Sequence, residues 1–250
     1  MLKETYFLFK RKIMATLRQP IWIVMSLTTP ILYIALFAPL TRNVGGVTLS
    51  IPEVLNGFVP GILTLLAFSA GLSGGWDMIV DLKAGVVERF RVTSAKRFSM
   101  LLGSILHDIV MFIVPATVLV GISLCFGFTT HWGGFAVLLG MLCLLTAIFS
   151  AFSAAIALIV KEMGGLAAVM TGIQLPLMLL SGMLLPLSLG PRWLEILGHF
   201  NPLYYTVEAS RLLSSGTILA NGVYIAFAVV IPLTLLTMWW ATRVFRKAVK

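Results

Sequence analysis

Side chains able to do chemistry are few in this chain, and none of their spacings builds an enzyme. His107, His131 and His199 fall in three separate segments, without the short spacings that gather metal ligands. No G-x-x-x-x-G-K-S/T phosphate loop, Gly-x-Ser-x-Gly elbow or H-E-x-x-H pair occurs. Nucleotide hydrolysis by that loop, acyl transfer and zinc proteolysis therefore lack residues to carry them. What remains is a handful of ionisable groups in apolar surroundings. Asp77 and Asp81 close the second apolar run, and His107 with Asp108 lie in the first turns of a third helix that begins near Phe98. Burying such a group at membrane depth is costly and marks a functional position by default, which makes Asp108 the candidate intramembrane polar site. The alternative is a carboxylate at the membrane edge, neutralised by Lys83 or Arg97. Cys125 and Cys143 both lie in apolar runs and predict no disulfide framework.

The elements that would position these groups are set by composition. Of 250 residues 59% are hydrophobic and 11% charged, with a mean hydropathy of +1.03, against roughly 25% charged in an average soluble domain. This excludes a soluble enzyme and a disordered chain and predicts an all-α polytopic membrane protein. Six uncharged runs, 21–40, 54–76, 109–130, 132–160, 163–191 and 212–242, reach the length a membrane helix needs, about 20 residues. Pro30, Pro60, Pro115, Pro176 and Pro232 inside them are tolerated, because neighbouring helices re-satisfy the freed backbone groups. The alternating, half-polar strands of a membrane barrel are not seen.

The net charge of +9 reports topology, not nucleic acid. Fifteen of the Lys and Arg residues lie on 1–18, on 81–98, at Lys161 and on the C-terminal end, and only Arg42, Arg192 and Arg211 lie on the alternate segments. The positive-inside rule then places both termini in the cytoplasm, in agreement with an even number of spans. The first run is too long for the core of a cleaved signal peptide, and no internal repeat is seen. A single membrane domain, 1–250, is expected.

Two segments outside the spans carry pattern. In 1–19, Leu2, Tyr6, Phe9, Ile13 and Leu17 fall on one helical face, with Lys3, Lys10, Arg11 and Arg18 mostly off it. This predicts a basic amphipathic helix on the cytoplasmic membrane surface, in contact with lipid. The segment 190–211 faces outside yet is rich in Trp, Leu, Phe and Tyr. Trp193, Leu194, Leu197 and Phe200 have helical spacing, and Asn201-Pro202 reads as an N-cap followed by Pro at the first helical position. Two short helices broken at Asn201 and dipping into the outer leaflet are expected, with an aromatic interfacial belt as the alternative.

This order of elements resembles the permease of type-2 ABC exporters, the daunorubicin-resistance and polysaccharide-export kind, over nearly the whole chain. Phe58-Val59-Pro60-Gly61-Ile62 resembles the family's Val-Pro-Gly start of the second span, and Glu88-Arg89-Phe90-Arg91-Val92-Thr93 its acidic-led coupling segment, although Ser94 stands where the family often has Pro. Leu180-Ser181-Gly182-Met183, then Asn201-Pro202-Leu203-Tyr204-Tyr205 through Arg211, is similar to its Ser-Gly and Asn-Pro-x-x-Tyr-x5-Arg hallmark.

The resemblance implies a permease subunit of an ATP-driven exporter. It would work beside a second copy or a homologous permease and two separate cytoplasmic ATPase subunits, which would bind ATP and Mg; this chain itself would hold no cofactor or metal. Coupling would run through 82–98 with Glu88, Arg89, Phe90, Arg91 and Thr93, although an ATPase could also dock on the N-terminal helix or the C-terminal tail. An outer gate would include Asn201, Pro202, Tyr205 and Arg211. Spans two and five would line the dimer seam, so Phe58, Phe68, Met170, Gln174 and Met178 are candidates for the path of a hydrophobic or amphipathic substrate: a drug, a lipid or a lipid-linked molecule. The expected location is the prokaryotic inner membrane. The alternatives are a small channel, a secondary transporter or a non-transporting scaffold subunit.

The topology is testable directly. With Cys125 and Cys143 replaced, single cysteines at 47, 131 and 195 should react with an impermeant maleimide in intact cells, and those at 90 and 247 only after permeabilisation. Labelling of position 90 in intact cells would invert the charge bias and sink the six-span reading.

Overall fold

The computed structural model describes residues 2–18, 24–25, 28, 31–32, 35–36, 50–85, 97–183, 187 and 191–248. Most of the expected first span, 21–40, and the coupling segment from position 86 to 96 lie outside the described residues. Within them the chain is all helical, with no strand. The order is α1 Leu2–Leu17, α2 Ile51–Lys83, α3 Arg97–Cys125, α4 Trp132–Val160, α5 Met163–Leu179, α6 Arg192–Gly198, α7 Pro202–Ser214 and α8 Asn221–Ala248. Four of these, α2, α3, α4 and α8, are long and apolar enough to cross a membrane, and α5 is a shorter apolar helix of 17 residues.

The helix ends follow local chemistry. Before α2, the Ser50 N–H donates to Glu53 Oε2 at 2.8 Å, so the acidic residue in the first turn ties down the start of the helix. At the same end, Asn56 pairs twice with Thr129, through its amide nitrogen to the hydroxyl and its oxygen from the backbone N–H, each at 3.0 Å. The helix α4 stops at Lys161, whose left-handed φ of 57° turns the chain at once into α5.

The apolar run 212–242 is not one helix. Its first residues finish α7, Gly216 turns the chain with a φ of +88°, and α8 begins only at Asn221. A hydropathy count does not register a break made by one glycine in the left-handed region.

The centre of the bundle is the seam between α2 and α4, its most extensive helix pair. Gly71, Gly74 and Gly75 on α2 face Thr146, Phe149, Ser150 and Ser153 on α4. Small residues let the two backbones approach, and hydroxyls bond across the gap: Thr146 Oγ1 donates to the Ala67 carbonyl at 3.1 Å and Ser153 Oγ to the Gly71 carbonyl at 3.0 Å. Phe68 stacks edge-on against Phe149, with centroids 4.6 Å apart. Around this seam α3 packs on α2 and α4, α8 on α4, and α7 on α8, α2 and α4. By contrast α5 buries only Leu166 and Met170, and α8 leaves Leu235, Leu236 and Trp239 exposed.

The seam predicts the effect of one methyl group. A Cβ at Gly71 would come within 2.7 Å of Phe149 Cβ and 2.8 Å of the Thr146 carbonyl oxygen. Gly71→Ala should therefore destabilise the purified protein by about 1–3 kcal/mol, read as a lower thermal midpoint, whereas Gly121→Ala, with nothing near its Cβ, should not.

Candidate functional site

Two clusters of polar groups stand out, one at each end of the bundle. The first surrounds Asp108, 1% exposed. Three helices enclose its carboxylate. Gly74 of α2 is so close that a Cβ there would overlap Asp108 Oδ2. Ser150 of α4 donates its hydroxyl to that same oxygen, and the neighbouring His107 places Nδ1 at hydrogen-bond distance from Oδ1, 3.1 Å. A buried carboxylate is tolerated when its lone pairs are met in this way. Of the two expected partners, Lys83 forms no ion pair with the carboxylate among the described residues, and the side chain of Arg97 lies outside them. The ammonium of Lys12, on α1, acts on the carboxylate electrostatically.

That helix docks on α3 by a face turned only partly away from its apolar stripe: Phe9 and Ile13 of the stripe are half-buried, whereas Tyr6 and Leu17 are exposed. Leu8 and the backbone at Thr5 and Phe9 sit over Gly103 of α3. Thr16 Oγ1 lies 2.9 Å from His107 Nε2. Lys12 Nζ lies 3.8 Å from Asp77 Oδ2 and 3.6 Å from Asp81 Oδ2, and Arg11 forms a hydrogen-bonded ion pair with Asp81. Tyr6 and Leu17, two of the stripe residues, point outward with Phe7 and Met14. The polar face that docks, Thr5, Lys12 and Thr16, has its own helical spacing of seven and four, which is the signal that could have found it.

One donor atom from each of Asp77, His107 and Asp108 lies within 4.8 Å of the others, close enough for one cation to be shared. His107 Nδ1 is also 3.5 Å from Asp77 Oδ2. The Lys12 ammonium beside Asp77 already supplies positive charge at this place, so the arrangement is that of an ionic junction between helices.

The second cluster is the pair α6 and α7. Asn201, 3% exposed, works at two helix ends at once. Its Oδ1 accepts the Leu203 N–H at 3.0 Å, capping α7, and its Nδ2 donates to the Leu177 carbonyl at 2.7 Å, in the last turn of α5. Pro202 occupies the first turn of α7. Arg211 reaches back to the Gly182 carbonyl at 2.8 Å, and Tyr205 donates its hydroxyl to the His199 carbonyl at 2.9 Å. Burial raises the pKa of the Tyr204 phenol, and Glu208 and Glu195 push in the same direction. All four residues expected in an outer gate thus take part in one joint, in which Asn201 and Arg211 tie α7 to the chain at and after the end of α5.

The other expected residues are dispersed. Phe68 and Met170 are buried in packing, whereas Phe58, Gln174 and Met178 are partly buried. Glu88, Arg89, Phe90, Arg91 and Thr93 lie outside the described residues.

Comparison with known proteins places the sequence among transport permeases. The family described as ABC-2 type transporter matches residues 3–213. The protein named as transport permease ycf38 of Cyanophora paradoxa is 32% identical over 222 residues, 86% of this chain and 75% of that protein. The daunorubicin resistance ABC transporter permease protein DrrB1 of Streptomyces coeruleorubidus is 25% identical over 209 residues, 83% of this chain and 73% of that protein.

The double role of Asn201 orders a pair of variants. Asn201→Ala loses the cap, about 1 kcal/mol, and strips the Leu177 carbonyl of its partner, about 1–3 kcal/mol more. Asn201→Ser keeps a capping oxygen and loses the donor to Leu177 without burying a charge. Thermal unfolding followed by a thiol-reactive dye should rank wild type above Ser and Ser above Ala; equal midpoints for the two variants would show that the cap contributes nothing.

Proposed function

The chain belongs to the ABC-2 type transporter family, as a type-2 ABC permease subunit, and from that premise we propose that it forms the membrane path of an ATP-driven exporter for hydrophobic or amphipathic molecules. The observation that carries the proposal is the family match, which runs through both polar clusters. The chain is an integral membrane protein and carries no phosphate loop. ATP and Mg would accordingly be bound by two separate ATPase subunits on the cytoplasmic side, beside a second copy of this chain or a homologous permease.

In this reading the chain is one membrane domain, 1–250, with six spans, both termini inside and the inner membrane of a prokaryote as its place. Closure of the ATPase pair pushes on 82–98, where Glu88, Arg89, Phe90, Arg91 and Thr93 meet it. The paired helices α6 and α7 form a re-entrant hairpin that seals the outer mouth through Asn201, Pro202, Tyr205 and Arg211. Between them Phe58, Phe68, Met170, Gln174 and Met178 offer apolar and flexible side chains to a substrate without demanding a charge. Movement at the end of α5 and at α7 is joined by the Asn201 bonds, which supports a gate in which the two move together.

The test is reconstitution with the cognate ATPase. Inside-out vesicles holding both subunits should take up daunorubicin, used as an amphipathic probe after the relative's name, or a fluorescent phospholipid, only when ATP is present. Uptake of either probe by the permease alone would instead establish a channel or a secondary transporter. Glu88→Ala should insert normally yet bind the ATPase less tightly, by about 2–5 kcal/mol if its carboxylate is buried against a basic group there. Wild-type co-purification and transport in that variant would remove Glu88 from the coupling surface.

A further inference from the structure

The ionic junction under α1 is larger than docking requires. An apolar contact of the same size holds a helix as well as buried charges do, often better, because removing ions from water costs several kcal/mol each. Leu8 over Gly103 already provides such a contact. Exposure is uneven across the charged side of the junction: Arg11 and Asp77 side chains are 43% and 44% exposed, while Lys12 and Asp81 are 11% and 15% exposed. The more exposed partners, Arg11 and Asp77, separate at little cost, whereas the buried Lys12 Nζ, without a hydrogen-bond partner among the described residues, depends on the carboxylates and so fixes the register to which a moving joint returns.

We propose that Arg11, Lys12, Asp77 and Asp81 form an ionic latch that fixes the position of α1 on the permease, and that α1 is thereby a moving part of the transport cycle. The connections give it reach in two directions. Asp81 lies two residues before Lys83, the last residue of α2, so whatever moves the start of 82–98 moves the carboxylate that grips Arg11 and Lys12. From Thr16 a line of hydrogen bonds continues through His107 and Asp108 to Ser150 on α4, passing the bare backbone of Gly74. Displacing α1 leaves Asp77 and Asp81 without their cations and removes the Thr16 contact of His107. The residues named are positioning residues, since they act through α1 and touch no substrate. The link to the cycle rests on the coupling reading of 82–98; the latch itself does not.

The experiment uses the full chain in nanodiscs of phosphatidylethanolamine and phosphatidylglycerol. Backbone hydrogen exchange of residues 2–17 is compared among wild type, Lys12→Gln, Asp81→Asn and the swapped pair Arg11→Asp with Asp81→Arg; unchanged exchange in α4 certifies that each is folded. Both single variants should exchange at least tenfold faster across α1, and the swap should recover part of the protection, because it restores the pair between positions 11 and 81 while setting a second cation beside Lys12. Unchanged exchange in the single variants, or an equal gain in the control Arg18→Gln, would overturn the latch and assign α1 to general attraction by lipid. A second reading follows a bimane on Phe7→Cys, with Cys125 and Cys143 replaced, in the complex with its ATPase. The probe should respond to ATP with vanadate in wild type, fail to respond in Asp81→Asn, and respond again in the swap. A silent probe in a wild-type complex that hydrolyses ATP, or a wild-type response in Asp81→Asn, would overturn the moving role. Absence of any co-purifying ATPase counts against the coupling reading, and the exchange series still decides the latch.

Discussion

The close approach of α2 to α4 is the constraint on which the other features rest. Three glycines on one helix and a run of Ser, Thr and Ala on the other bring two backbones together without relying on a hydrophobic drive, which membrane helices lack among lipid tails. Dispersion and the hydroxyl bonds from Thr146 and Ser153 hold the seam. The same absence of side chains opens the niche at Gly74 into which the Asp108 carboxylate fits. A seam built from larger residues would hold the helices apart, and the Ser150 hydroxyl would no longer reach that carboxylate.

Much of this was legible in the residues. The amphipathic start, the helical class, the two short helices and the cap at Asn201 followed from spacing and from the chemistry of Asn-Pro. Asp108 stood out because a carboxylate in an apolar run is expensive. What was not legible is what long-range contacts decide. The spacing of Thr5, Lys12 and Thr16 marks a second face on α1, but which face meets the bundle depends on carboxylates that arrive with α2. The second bond of Asn201, to the end of α5, was hidden for the same reason. The boundary between α7 and α8 was missed because apolar counting does not respond to a backbone dihedral.

The two polar clusters divide the bundle mechanically. At the Asn201 end, hydrogen bonds join helix termini, where free carbonyls and N–H groups need partners in any case. Opening that joint strands backbone groups and carries a cost at both helices. At the Asp108 end the bonds are between side chains of four helices, with Asp77 half exposed at one edge. Such contacts can exchange partners without unwinding a helix. A seam of low compliance between two joints of different stiffness is an arrangement in which a push at one end is passed along and not absorbed.

The separation in sequence between α1 and its partners also bears on biogenesis. Arg11 and Asp81 are 70 residues apart, and Thr16 and His107 are 91 apart. A ribosome releases α1 first, so its basic face emerges well before any of the carboxylates that neutralise it. During that interval Tyr6, Phe7, Met14 and Leu17, which stay outward in the finished fold, give the helix a way to rest on the leaflet. Seating of α1 is then a late event of assembly, completed only when α2 and α3 are in place. The helix α1, made before α2 and α3, is thus among the last elements to reach its final partners.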